Sequence, residues 1–339
     1  MSEPSYHIEF LHHQAAHCEN GATSNLLRYY NISLSEPMTF GIGSGLFFSY
    51  LPFIKVNALP VVSFRPWPGQ IFKRVTRRLG LKIQRYKFKD QAQSMAALDR
   101  NLQQGIPTGC LVGVYHLSYF PPAYRFHFNA HNIVVMGKED GEYLVSDPIM
   151  PNLERLTASN LARVRFAKGT FPPKGRMYFI TETSSSYDLK KAIVKGIQQT
   201  CKEMLTLPVP LVGVKGIRYM AKRMRQWPQK LGEKKASLYM GQVVRMLEEI
   251  GTGGAGFRFM YAAFLQEAAR ELNQPWLNDM SKEMTEVGDR WREFALIAGR
   301  IFKNRAGQDE SYIAASDVLL DIAEREDKIY RNLRHIKLT

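Results

Sequence analysis

What the sequence lacks is the first guide to it. No apolar run approaches the roughly 20 residues that a membrane-spanning helix needs. The longest candidate, Leu205–Val214, is short and carries Pro208 and Pro210. Cysteine is scarce: Cys18, Cys110 and Cys201 are the only three in 339 residues. An odd and sparse count excludes a disulfide framework and points to a reducing compartment. The opening MSEPSYHIEF has no basic segment followed by an apolar one, so no secretory signal is read and a cytoplasmic location is expected. There is no HExxH and no paired CxxC, so no metal site is expected, although His13 and His17 stand four apart with Cys18 adjacent. The glycine-rich run Phe40–Tyr50 lacks both the Lys-Ser/Thr ending of a phosphate loop and the spacing of a dinucleotide fingerprint. No RNA- or DNA-reading motif occurs, and a nucleic-acid partner is not expected.

What is present suits a globular chain long enough for two domains. Hydrophobic residues make up 45% and charged residues 23%, which excludes disorder as the main architecture. Lys and Arg number 46 against 31 Asp and Glu, a formal charge of +15. The excess is spread over the chain, with 20 basic and 12 acidic residues in 1–186 (net +8) and 26 and 19 in the rest (net +7). It is locally dense, however. Lys73–Lys89 holds eight basic residues and no acid, and Lys190–Lys230 holds ten against Glu203 alone. Such stretches suit solvated faces, or the docking of an acidic protein or an anionic membrane surface in peripheral contact.

Texture divides the chain. Up to about Ile180, short β-branched and aromatic runs predict strands at Leu81–Phe88, Cys110–Tyr115, Asn132–Met136, Tyr143–Ser146 and Met177–Thr181. Between them, helices are expected at Gly21–Tyr30, Gln70–Leu79, Gln91–Gln104 and Ala158–Arg163. The polar TETSSSYD, Thr181–Asp188, reads as a linker. Beyond it helical periodicity takes over, clearest in Trp276–Phe302 with Met280, Met284, Val287, Trp291, Phe294, Ile297 and Ile301 as a core stripe. The fold class expected is α+β, with a catalytic domain over 1–183 and a helical domain over 184–339.

Cys18 carries the chemistry. It precedes an expected helix, where the positive end of the helix dipole favours a thiolate. Its neighbours His12, His13, Gln14, His17, Glu19 and Asn20 are polar, whereas Cys110 and Cys201 sit in apolar runs as small buried hydrophobes. A nucleophilic thiol needs a base, and the base an orienting group. The segment HNIVVMGKEDGEYLVSDP reads as a hairpin; folded about residue 139, it sets His131 against Asp147, directly or offset by one position. His127 falls beyond the end of the second strand. Asp147 also opens a turn before Pro148 in the blander reading. His12 or Gln14 is the expected side-chain donor to an oxyanion. Gly43 and Gly45 are expected to pack against the nucleophile helix and, with Tyr261, to line a pocket. A second glycine run, Gly251–Ala269, opens a helix, as either an ordinary loop or a phosphate cradle.

These residues resemble a known family, that of butirosin biosynthesis protein H. The likeness lies in HCENGATSNLLRYYN, SEPMTFGIGSGLFFSY and HFNAHNIVVMG with SDP, and continues through GVKGIRYMAKRMRQWP and GTGGAGFRFMYAAFLQEAA, which are similar to that family's helical C-terminal domain. The resemblance implies a papain-like N-terminal domain, more distantly like the peptidases that trim bacteriocin leaders. It implies acyl transfer, from an acyl carrier protein thioester to a small-molecule acceptor amine or hydroxyl. Cys18 would be nucleophile, His131 base and Asp147 its orienter. No cofactor is expected to be bound; phosphopantetheine would arrive on the acidic carrier protein, docking on basic surface. Papain-like enzymes place an oxyanion Gln six positions before the cysteine, where this sequence has His12. A peptidase or amidase of the same fold and a non-catalytic basic binding protein are the alternatives, and a homodimer is left open.

Overall fold

The computed structural model describes residues 5–56, 58–183 and 186–338. The short apolar runs of the first half become strands, separated by helices that carry their own caps. In chain order these are β1 (Tyr6–His7), α1 (Cys18–Tyr29), α2 (Glu36–Ile42), β2 (Ser49–Val56), β3 (Leu59–Ser63), α3 (Gln70–Arg78), β4 (Lys82–Tyr86), α4 (Gln91–Gln103), β5 (Thr108–Val112), β6 (His131–Glu139), β7 (Glu142–Ser146), β8 (Glu154–Thr157), α5 (Ala158–Arg165) and β9 (Met177–Glu182). Seven strands form one antiparallel sheet in the order β4-β9-β5-β6-β7-β8, with β1 added on β6. The continuous apolar runs occupy its middle: β5 is buried at every position and β6 at its first seven. The lysine- and arginine-bearing β4 lies at the edge and is exposed almost throughout, where charge discourages further strand pairing.

After Asp188 every helix or strand that forms among the described residues is helical: α6 (Leu189–Leu205), α7 (Gly213–Met224), α8 (Trp227–Leu231), α9 (Glu233–Val244), α10 (Arg258–Leu272), α11 (Trp276–Phe302) and α12 (Tyr312–Leu333). The stripe on α11 is core, with Met280 through Phe294 buried and Ile297 and Ile301 half-buried. Among the described residues no helix is long and apolar enough to cross a membrane.

Contacts divide the chain into two compact units: residues up to Thr39 with Ile71–Tyr187, and Phe40–Gln70 with Asp188 onward. The single cut expected at residue 183 therefore misassigns Phe40–Gln70. The reason is aromatic burial. Phe48 and Phe64, flanking and following the β2–β3 hairpin, meet Trp291 of α11 at 6.1 and 5.3 Å between ring centroids, and Tyr50 meets Trp227 at 6.2 Å. In the expected linker, Thr181 and Glu182 finish β9 and Asp188 caps α6 by accepting from the Lys191 N–H at 2.8 Å; Ser184 and Ser185 lie outside the described residues.

The glycines of Phe40–Tyr50 also find other partners than expected. A methyl at Gly41 would come within 2.1 Å of the Phe264 ring, and one at Gly45 within 2.3 Å of Phe40. The close approach is thus to α10 and to a local ring, in place of the nucleophile helix. Gly43 is buried, and Tyr261 is fully buried with the Phe264 ring 5.5 Å away, so these pocket candidates sit among packed side chains. The second glycine run is no phosphate cradle either. Its donor at Ala255 is taken by the Glu248 carboxylate at 3.0 Å, and an acid there repels an anion. The Arg258 guanidinium just beyond is fully buried and paired bidentately with Glu326, at 2.8 and 3.0 Å.

Candidate active site

Two elements of the first unit converge on one sulfur. Cys18 is the first residue of α1, and the loop before it is pinned by Glu36, whose carboxylate accepts from the N–H groups of Ala16 and His17 at 2.9 and 2.8 Å. Burial pushes the Glu36 carboxyl up, while those two N–H groups and Asn20 hold it down. The Ala15 N–H donates to Pro148 O at 2.7 Å, and a methyl at Gly21 would come within 2.4 Å of the Pro148 side chain. The helix therefore seats directly on the residue after Asp147, and only glycine permits that approach.

His131 opens β6, paired with Val112 of β5. Its Nε2–H donates to Asp147 Oδ2 at 2.7 Å, with both side chains almost fully buried. The Asp147 carboxylate has two further donors: the Tyr119 hydroxyl at 2.8 Å and the Ile149 N–H at 3.1 Å. Burial and the adjacent Asp147 charge hold the Tyr119 phenol well above its usual pKa, so it stays a donor. Phe120 lays its edge on the His131 ring at 5.6 Å. Burial works against an imidazolium here. The Asp147 carboxylate and the Cys18 sulfur, by charge and hydrogen bond, outweigh it and raise the His131 pKa to about 10. Cysteine, imidazole and carboxylate thus meet in the order the sequence suggested: the sulfur contacts the ring, and the ring is held by the acid. This is a cysteine–histidine–aspartate arrangement within an α+β fold.

The hairpin delivers this geometry by a different register from the expected one. The turn is Asp140–Gly141, both at positive φ, and an irregularity between Val135 and Gly137 shifts the pairing, so that Val134 faces Ser146. Followed three residues further, this register would set His131 opposite Ile149. Asp147 lies two positions short of that and reaches the ring diagonally from beyond the end of β7. His127, the rejected base, stacks on Tyr115 with centroids 4.1 Å apart.

The expected oxyanion donors are engaged elsewhere. His12 Nε2 donates to Met150 O at 3.0 Å and its Nδ1 bonds Ser146 Oγ at 2.8 Å; Gln14 Nε2 donates to Ile149 O at 3.1 Å. Both side chains tie the N-terminal segment to the turn that carries Asp147, because that turn exposes carbonyls that need donors. Cys110 and Cys201 are buried, and burial pushes both thiols up, Cys201 to about 12. Among the described residues no group of three or more His, Cys, Asp or Glu could hold a metal ion. Sequence reasoning missed Tyr119, Glu36 and Asn132. Asn132 Nδ2 lies 3.9 Å from Cys18 Sγ. Its only signal in the sequence was its place next to His131.

Two family models match the chain. The family model described as Butirosin biosynthesis protein H, N-terminal, matches residues 17–148. The one described as Domain of unknown function (DUF4872) matches residues 159–333. No curated protein matches the chain. Among solved structures, one titled as a putative C39-like peptidase from Bacillus anthracis is similar at 10% identity and a TM-score of 0.38, over 54% of this chain and 100% of that one.

Proposed function

The chain belongs to the DUF4872 family and carries a match to the Butirosin biosynthesis protein H N-terminal model ahead of it, and on that premise we propose that it is a cysteine acyltransferase. It takes an acyl group from a carrier-protein thioester and passes it to a small-molecule amine or hydroxyl. The observation that carries the reading is the buried Cys18–His131–Asp147 assembly. The Cys18 thiolate attacks the thioester carbonyl; the pantetheine thiol leaves with a proton from His131, and an acyl-Cys18 thioester remains. The acceptor then attacks while His131 takes its proton, and Cys18 is released. Asp147, itself held by Tyr119 and the Ile149 N–H, keeps the imidazole turned with Nε2 away from the sulfur. The small exposure of Cys18, 6%, suits transfer over hydrolysis, since water at the intermediate would waste the acyl group.

A basic surface supports an acidic donor. The Ile71 N–H in the first turn of α3 donates at 2.9 Å to Glu19, the residue after the nucleophile. From there α3 runs about 13 Å and presents Lys73 and Arg77 to solvent, and β4 with its sequel adds exposed Lys82, Arg85, Lys87 and Lys89. Charge of this kind speeds and orients encounter with an acidic protein. The test is intact-mass measurement after incubation with acyl-loaded carrier protein: an acyl adduct on the wild type and none on Cys18→Ala. Full transfer by Cys18→Ala would remove the covalent route. Release of peptides without any carrier protein would reassign the protein to the amidases.

A further inference from the structure

With His12 and Gln14 tied to the turn after Asp147, the Asn132 side-chain amide beside the nucleophile has no role in the reading above. Asn132 is almost wholly buried, at 1% exposure. Its Nδ2 lies 3.9 Å from Cys18 Sγ and 3.4 Å from Ala130 O. Its Oδ1 accepts from the Tyr178 hydroxyl at 3.0 Å. That phenol stands on β9. Burial, followed by the charges of Glu19, Cys18 and Cys110, holds it well above its usual pKa against the opposing Arg85, so it stays protonated. A protonated phenol with its proton on Oδ1 fixes which end of the carboxamide faces it, and the NH2 end is left facing the sulfur. The phenol ring is itself located by the fold. Phe72 of α3 packs on it at 4.5 Å between centroids, and Gly109 of β5 leaves its space, since a methyl there would come within 2.2 Å of it.

We propose that Asn132 is a positioning residue for the nucleophile: oriented by Tyr178, its amide donates to the Cys18 thiolate and holds the anion facing His131. The inference rests on Cys18 being the nucleophile and on no particular acyl donor. The sulfur meets His131 from β6 by charge and hydrogen bond and lies 4.0 Å from the Ala130 carbonyl, while the charges of Glu19 and of Cys18 itself both reach the Tyr178 phenol on β9. Asn132 Nδ2, 3.9 Å from the sulfur, is a neutral donor, so its removal weakens the thiolate without changing any charge. A hydrogen bond to a charged group of this kind corresponds to a shift of about one pH unit.

The experiment is the pH–rate profile of Cys18 alkylation by iodoacetamide on the full chain, read by intact mass and peptide mapping. In that reaction the sulfur forms the S–C bond and iodide leaves, so no natural substrate is needed. Asn132→Leu should move the onset of alkylation up by about one pH unit, and Tyr178→Phe should move it less, in the same direction. Asn132→Asp, which sets a carboxylate beside the sulfur, should move it furthest. If Asn132→Leu fails to fold, Tyr178→Phe and Asn132→Asp still decide. Normal wild-type reactivity with unmoved profiles in the folded variants overturns this proposal alone. A wild-type Cys18 no more reactive at neutral pH than a free thiol overturns the nucleophile reading, and the proposal with it.

Discussion

Among the described residues each unit buries an ionic pair, and the two are finished differently. In the helical unit Arg258 and Glu326 are both fully buried and form a closed network. The guanidinium donates twice to Glu326 and once to Gly256 O at 2.9 Å, and the Trp291 indole N–H donates to the same carboxylate at 2.9 Å. The donors are matched by acceptors, and nothing in the cluster points to solvent chemistry. In the sheet unit the His131–Asp147 pair is just as short and nearly as buried, and the acid is as fully served. The base is not closed off by its acid: its second ring nitrogen is left to the Cys18 sulfur, which retains a little exposure. A buried pair costs desolvation in either place. In one unit that cost secures an architecture; in the other it holds a base in one orientation beside a nucleophile.

The comparison can be broken from either side. The largest effect is expected for His131→Ala, which should slow acylation or alkylation of Cys18 by about 10³-fold while leaving unfolding of the helical unit unchanged; stopped alkylation assays beside denaturant unfolding measure both. Glu326→Ala comes next. It strands a buried guanidinium and should cost about 3–5 kcal/mol in chemical denaturation, whereas replacing Arg258 and Glu326 together by Met and Leu should restore most of it. A single variant as mild as an average surface substitution would mean that the network is not the staple described.

The pH dependence sharpens the contrast. The folded His131 pKa, about 10, lies above its ordinary 6.5, so the imidazolium's contribution to stability is complete below about 6.5 and fades as pH rises toward 10. Urea midpoints between pH 6 and 10 should fall for the wild type more than for His131→Gln. The smallest effect is expected for Tyr119→Phe. Asp147 loses one of three donors, for about 1 kcal/mol and up to ten-fold in Cys18 reactivity. A charge reversal at Lys73 and Arg77 offers a separate check on the donor: second-order transfer from an acidic carrier should fall and lose its salt dependence, with alkylation unchanged.

The two basic stretches teach a related lesson. In Lys190–Lys230, Arg218 pairs with Glu324 at 3.0 Å and Arg225 with Asp317, both acids on α12. Part of that charge is therefore spent within the unit. Sequence counting cannot see this, since the acids lie about a hundred residues away. Lys73–Lys89 falls on a short helix and an edge strand; Lys82 there pairs with Glu182 at 2.6 Å, while Lys73, Arg77, Arg85, Lys87 and Lys89 are exposed.

Local pattern made much of the molecule legible. The Trp276–Phe302 helix, the central apolar strands and the cysteine at a helix start all follow from periodicity, β-propensity or a dipole argument confined to a dozen residues. His131 and Asp147 were also within reach, because a hairpin brings near neighbours together. The β2–β3 hairpin and its assignment to the helical unit were not, since Phe48 and Phe64 are explained only by Trp291, more than two hundred residues on. His12 and Gln14 were misjudged for the same reason: the carbonyls that claim them belong to residues 149 and 150.

The sequence by itself determined the residue types of a thiol–imidazole–carboxylate site, the central apolar strands, the long helices and the two textures of the chain, because those depend on spacing along the backbone. Only the tertiary structure decided the offset by which Asp147 reaches His131, the Asn132–Tyr178 contact behind the sulfur and the crossing of Phe40–Gln70 into the helical unit. Those are set by packing and by the need of every buried polar atom for a partner, and such partners are chosen in space, without regard to their distance along the chain.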